Sequence, residues 1–347
     1  MLLRRRPDRA HGPGVRENPL STEPGAAPPD AAATLPDHSP IETCVPNLGI
    51  GVSFQDTLRP FLEREPDAYD YLEVVPDTLW TDRGPGAMPR YLEDQDALAF
   101  VRTVRSVKPV IPHSIGLSIG SAHRFDQEHV DQIASWWSWL RFPWHSDHLA
   151  FSSAEGATGA GEVSVGLMLP VAYTEETLQL LAGRVATVRR RVPAPFLLEN
   201  NVDYVQLQEA DYDEAGFLNE LCARTGCYLL LDLHNLYANS RNHRFDPFGF
   251  LERLDLGRVV ELHVAGGMEY EGIYLDAHSG VVPEAVWALL QWVLPHCPNA
   301  GGVTFEVVGS WVPVIGLDRL RTELARLRSC WLRQQPDRAP SGTGGGM

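Results

Sequence analysis

Paired cysteines are missing from this sequence. Its five cysteines, Cys44, Cys222, Cys227, Cys297 and Cys330, are scattered and form no CxxC pair. An odd, unclustered set is a poor disulfide framework and cannot build an Fe–S or structural zinc site. They read as reduced thiols of a cytoplasmic protein. Basic charge is also short: 29 Lys and Arg stand against 45 Asp and Glu, a net charge of −16. That balance argues against broad nucleic-acid or anionic-membrane binding, both of which reward a basic face. No uninterrupted apolar run approaches the roughly 20 residues of a membrane span. The arginine-rich start, Met1 to Arg9, is followed by no apolar segment of the kind a secretory signal needs. No GxGxxG or GxxxxGK[ST] follows any strand-like run, which removes the commonest nucleotide-binding folds.

What the sequence has is a long alternation of short apolar runs and helical patterns. Residues 1–45 and 334–347 are Pro-, Gly- and Ala-rich or polar without hydrophobic periodicity, and are expected to be a disordered arm and tail. Residues 46–333 carry eight β-type runs: Leu48–Phe54, Tyr71–Val75, Pro109–His113, His145–Phe151, Phe196–Asn200, Tyr228–His234, Val259–Val264 and Val303–Val308. Most are apolar enough to be buried on both faces. Helices are expected from Asp126 to Leu140, from Thr174 through the arginines 189–191, over Ala215–Thr225 and Pro283–Leu294, and from Leu317 to Leu332. This α/β pattern predicts a single (β/α)₈ TIM-like barrel.

Active sites of such barrels lie at the carboxyl ends of the strands. Those ends are biased here: Glu73, His113, Asp147 with His148, Glu199 with Asn200, Asp232 with His234, His263, then Asp276 with His278, and Glu306. One such residue alone is most often a helix cap or a satisfied core group. Buried carboxylates cost several kcal/mol each unless paired, hydrogen-bonded or bound to a cation, and repeating that at strand after strand is hard to sustain without metal charge at the centre. Mixed His and carboxylate ligands suit Fe, Mn or Zn, and more ligands than one ion accepts imply several ions. Asp232 and His234 are two apart, so an extended strand would point both to one side. His145 would face away from His148. The aromatic run ASWWSWLRFPW reads as packing, and His123, His129, His243 and His296 lack strand-end logic. Glu73 and Asp147 are candidates for orienting ligands through hydrogen bonds.

The ordered motifs HSIGLSIGS, SDHLAFS, LLENN, LLLDLHNLY, ELHVAGG, LDAHSG and the Glu306 strand resemble the multinuclear non-haem iron-dependent oxidative enzymes. This is domain of unknown function 692, the family of the methanobactin-biosynthesis oxidase. The likeness runs from GIGVSF at 49 to beyond Glu306. It implies a TIM-like barrel holding two or three irons, mixed Fe²⁺ and Fe³⁺, that uses O₂ to modify a ribosomally made precursor peptide, usually at cysteine. It also implies a separate peptide-recognition protein as partner. Carried over by position, the ligands would be His113, His148, Glu199, Asp232, His263, Asp276, His278 and Glu306, with Asn200 at the edge. Three departures stand out. DLHN from Asp232 replaces DxNN, which makes His234 an added ligand candidate; Gly267 stands where HLAGH has its last histidine; LENN replaces LENP. Two other readings are a xylose-isomerase-like barrel using divalent metals on a sugar or phosphodiester, and a non-catalytic barrel that binds a peptide or metal.

Overall fold

A computed structural model describes residues 45–155, 162–205, 207 and 210–334. The expected arm and tail lie outside these residues, apart from Val45 and Gln334. Eight parallel strands close a barrel: β1 Gly49–Ser53, β2 Tyr71–Val74, β3 Val110–Ser114, β4 His145–His148, β5 Phe196–Glu199, β6 Tyr228–Asp232, β7 Val259–Val264 and β8 Gly302–Phe305. Each pairs with its sequence neighbour, and β1 closes on β8 in the register Gly49 to Gly302. Helices cover the outside: α1 Arg59–Arg64, α2 Gln95–Arg105, α3 Gln127–Leu140, α4 Glu175–Arg191, α5 Glu214–Thr225, α6 Leu233–His243, α7 Pro247–Arg253, α8 Glu284–Val293, α9 Val312–Ile315 and α10 Leu317–Gln334. Asp126 caps α3 by accepting from the His129 N–H, and Thr174 caps α4 by accepting from Thr177. None of these helices is long and apolar enough to cross a membrane.

Strand alternation divides the core in two. Outward residues such as Phe196 and Leu198 pack under the helices. Inward residues Tyr71, Ile111, Trp144, Leu197, Tyr228 and Leu230 fill the amino-terminal half of the barrel. The same inward parity carries Glu73, His113, His148, Glu199 and Asp232 at the opposite end. Apolar floor and polar rim are thus one period-two pattern read along each strand.

Most strand boundaries shift by one to three residues from the sequence expectation, and at two of them the element itself changes. The run His145–Phe151 is not one strand: β4 stops at His148, and Ala150–Glu155 turns out to pair antiparallel with Glu162–Pro170 as a separate hairpin. The run Tyr228–His234 stops at Asp232, whose side chain caps α6 by accepting from the Asn235 N–H at 2.7 Å. His234 therefore sits in the first helical turn, and the argument that strand geometry aligns it with Asp232 fails.

Candidate metal centre

β3 and β4 deliver two imidazoles onto one carboxylate from β5. His113 Nε2 and His148 Nδ1 lie 3.2 and 3.0 Å from Glu199 Oε2. The remaining nitrogen of His113 is held by Ser146 Oγ at 2.9 Å. From the opposite wall, β7 supplies His263. Its Nε2 is fixed by Glu73 Oε2 at 2.8 Å, leaving Nδ1 aimed at Glu306 Oε2 (3.1 Å), Glu199 Oε1 (3.9 Å) and Asp232 Oδ2 (4.0 Å). At the mouth, Asp276 Oδ1 lies 3.0 Å from His234 Nδ1 and 2.9 Å from His278 Nε2, which in turn is 3.7 Å from Glu306. Despite leaving the strand, His234 reaches the cluster from the start of α6.

The electrostatics of the metal-free chain follow from these distances. Burial alone would depress the His263 and His113 pKa values. The carboxylates of Glu306 and Glu73 outweigh it at His263, holding that ring well above its ordinary range, and Glu199 lifts His113 to about 9. Burial would raise Glu199 and Glu306, yet the facing imidazoles hold Glu199 well below the carboxylate range and Glu306 at about 2. Asp232 goes the other way: burial, then Glu199 and Glu306, push its carboxyl far up. So many acids in one dry space cannot all keep their charge without cations.

The fit to metal rests on orphaned atoms. Glu73 Oε1, His148 Nδ1, Glu199 Oε2, Asp232 Oδ2, both nitrogens of His234, His263 Nδ1 and Asp276 Oδ1 are buried without a hydrogen-bond partner. Buried polar atoms are normally satisfied, so this concentration of lone pairs is what ligands facing a common ion leave behind. Ligand atoms within 4.8 Å of one another form His113–Glu199–His263 and Asp232–His263–Glu306, two sets that share His263, and a third set of Glu73, Glu261 and His263. Nitrogen and oxygen donors in this mixture suit Fe, Mn or Zn.

Not every candidate points inward. Asp147 shares the outward parity of His145 and faces Leu117 and His129 beneath α3, so it touches none of the clustered atoms and cannot orient them directly. Burial, then Asp77, push its carboxyl well above the usual range. His145 stacks on Phe196, and burial depresses it to about 3. Asn200 acts on backbone instead: it donates to the Asp232 carbonyl at 3.0 Å and accepts from the Asp232 N–H at 2.8 Å. His123, His243 and His296 are engaged by Ser121 and the carbonyls of Asp203 and Trp292. A cavity of ≈ 620 Å³ lined by Tyr173, Asp203 and His243 lies beside the loop after β5, not over the cluster.

Sequence reasoning missed two contributors. Glu261, in mid-strand two residues before His263, accepts from Tyr71 (2.9 Å), Thr304 (2.7 Å) and Trp144 (2.6 Å), and burial together with Glu73 raises it to about 7. Its parity with His263 was the available signal. Asn235 donates to Glu199 Oε1 at 3.3 Å and to the Asn200 carbonyl at 3.1 Å. Its place three residues after a capping Asp was the clue there.

With this geometry in hand, comparison with known proteins is decisive. A family model described as RiPP precursor modification enzyme MbnB/TglH/ChrH matches residues 48–330. The chain belongs to that family. It is 32% identical over 250 residues to a UPF0276 protein of Caulobacter vibrioides, covering 72% of this chain and 83% of that one. A UPF0276 protein of Shewanella oneidensis is 32% identical over 246 residues, covering 70% and 81%. Among solved structures, a candidate xylose isomerase from Rhodospirillum rubrum superposes with TM-score 0.51 at 15% identity, covering 81% of this chain and 98% of that one. That likeness shows the barrel fold alone. Within the MbnB/TglH/ChrH family, then, this chain is a barrel of a precursor-modifying enzyme type, with His and carboxylate groups able to hold metal at the strand ends.

Proposed function

We infer that this protein is a multinuclear iron- and O₂-dependent oxidase that modifies a ribosomally synthesised peptide at cysteine, with a separate recognition protein delivering the peptide. One observation carries the reading: the convergence of unpartnered nitrogen and carboxylate atoms of His148, Glu199, Asp232, His234, His263 and Asp276 around the barrel mouth, with His113 against Glu199, Glu306 against His263 and His278 beside Asp276. Two or three ions, mixed Fe²⁺ and Fe³⁺, fit that number of ligands. Iron bound there would supply the one-electron steps that O₂ chemistry requires and a Lewis-acid position for a thiolate.

The chain's own residues provide the rest. Glu73 fixes the His263 ring through Nε2, and Ser146 fixes His113 through Nδ1, so each presents one defined nitrogen. The apolar floor of Ile111, Leu197 and Leu230 shuts water out from below. Access is from the rim: side chains of His148, Asp276 and His278 are 12, 17 and 25% exposed, whereas those of Glu199 and His263 are at most 2%. A peptide thiol therefore arrives at the His148, Asp276 and His278 side. No side chain needs to act as nucleophile.

The test is anaerobic reconstitution with Fe²⁺, followed by O₂ and synthetic peptides from any cysteine-bearing short reading frames found beside the gene, with any recognition protein encoded there. Coupled O₂ consumption and a mass change confined to the cysteine are expected. Equal conversion by zinc-loaded protein without O₂ would contradict the reading and favour divalent-metal chemistry.

A further inference from the structure

Beside the mouth, Met268–Tyr270 and Ile273–Leu275 form a two-stranded hairpin with the register Met268 to Leu275, Glu269 to Tyr274 and Tyr270 to Ile273. Its turn residues Glu271 and Gly272 both have positive φ (51° and 83°), the geometry of a tight two-residue hairpin. Directly opposed residues share a face. Tyr274 and Glu269 take the inner one: the Tyr274 ring lies 5.2 Å from Tyr237 and 5.7 Å from His234, and Glu269 pairs with Arg241 of α6. The outer face is then Met268, Tyr270, Ile273 and Leu275, apolar throughout, with Tyr270 57% and Ile273 44% exposed. This inverts the usual polar-out alternation, and the hairpin has spent its inner side on α6.

Its edges are also unequal. The Asn242 side chain accepts from the Tyr274 N–H (2.8 Å) and donates to its carbonyl (2.9 Å), closing one edge. By antiparallel alternation the facing residue, Glu269, turns its backbone N–H and C=O to the other edge. The strand that ends at Leu275 runs straight into Asp276, whose N–H donates to Tyr204 Oη at 3.0 Å, and then to His278.

We propose that the outer face of this hairpin is the platform for the peptide substrate, holding an extended apolar segment next to the residue to be modified. The proposal rests on the peptide-oxidase reading and specifies its substrate contact. Continuity with the site argues for this occupant, because a segment lying along Ile273–Leu275 continues onto Asp276 and His278. Size argues against a second protein or another copy of this chain: two three-residue strands, about 10 Å long and about 5 Å apart, offer a face on the order of 100 Å², far less than the roughly 800 Å² a stable protein partner covers.

The experiment pans a phage library of 12-residue peptides with a fixed central cysteine against Fe²⁺-reconstituted protein under argon. Selected peptides are then measured by fluorescence anisotropy on wild type and on the Tyr270→Glu/Ile273→Glu variant. Both positions are exposed, so metal content and thermal melting should match wild type, which separates this test from the iron assignment. Expected are apolar residues at alternate positions flanking the cysteine, and affinity about tenfold weaker on the variant. Selection without a flanking apolar preference, no selection at all, or equal affinity on the variant overturns the proposal. So does a wild-type dimer in sedimentation that the variant abolishes, since the face would then belong to a second copy.

Discussion

His148 Nδ1 lies 3.0 Å from Glu199 Oε2, and neither atom has a hydrogen-bond partner. Two groups that close would normally share a proton along the line between them. Here their lone pairs are presented side by side, the arrangement of co-ligands. Replacing His148 with Ala is expected to lower bound iron by about one ion per chain and to abolish peptide conversion, with the fold intact by circular dichroism. Metal analysis by mass spectrometry checks it; full iron with full turnover would remove His148 from the centre.

Glu73 touches His263 Nε2 at 2.8 Å, so on the proposed reading its role is to position that ring. Glu73→Gln keeps an acceptor for the imidazole while removing the charge. Metal affinity is expected to fall roughly 10- to 100-fold, as for other losses of a ligand's orienting partner. Competition against a chromophoric chelator reads this directly, and unchanged affinity would reduce the 2.8 Å contact to packing.

The pH behaviour of the metal-free protein follows from the same contacts. Glu199 raises His113 from its ordinary value near 6.5 to about 9 against the opposing effect of burial, so this contribution to stability is complete below pH 6.5 and disappears as pH rises through about 9. Glu306, lowered from 4.5 to about 2 by His263 and His278 against burial, contributes fully above pH 4.5 and is lost as pH falls through about 2. The metal-free Tm should therefore decline between pH 6.5 and 9. Because ligation needs unprotonated imidazole, metal uptake at pH 7 should release protons. Titration calorimetry in buffers of different ionisation enthalpy measures that release; none would contradict the electrostatic account.

The barrel floor makes a stability prediction. Gly51 faces inward, and a Cβ there would collide with the Tyr71 ring, which also holds Glu261 through its hydroxyl at 2.9 Å. Gly51→Ala should cost about 1–3 kcal/mol, the usual penalty of overpacking a tight core. A urea titration following tryptophan fluorescence gives the number. An unchanged midpoint would mean the floor is looser than the structure has it.

Much of this was legible in the sequence because strands buried on both faces leave unbroken apolar runs, and barrel strands of this kind end in functional residues. Leu229–Leu231 before Asp232 announced a strand and its terminal group, and Val259–Leu262 did so before His263 despite Glu261. Failure came where the chain changes element within a residue or two. Asp232 is at once a strand end and a helix cap, and no composition signal separates DLH in a strand from DLH entering α6. At His148 the barrel strand hands over to a hairpin after a single residue, so a continuous β-type run hid two sheets. Asp147 reads as a ligand-orienting residue in the sequence, although alternation along β4 turns it away from its neighbour His148. Glu261 escaped because a carboxylate in mid-strand looks like an edge position until Tyr71, Thr304 and Trp144 close around it. The sequential motifs survived these errors because the side chains converge in space whichever element carries them.

Mössbauer spectroscopy of protein purified without oxygen from ⁵⁷Fe-grown cells tests the central claim most directly. The account predicts at least two iron environments with nitrogen and oxygen ligation, coupled in the mixed-valence state and lost together when Glu199 is replaced by Ala. A folded protein with no iron, or with one isolated ion unaffected by that replacement, would contradict it.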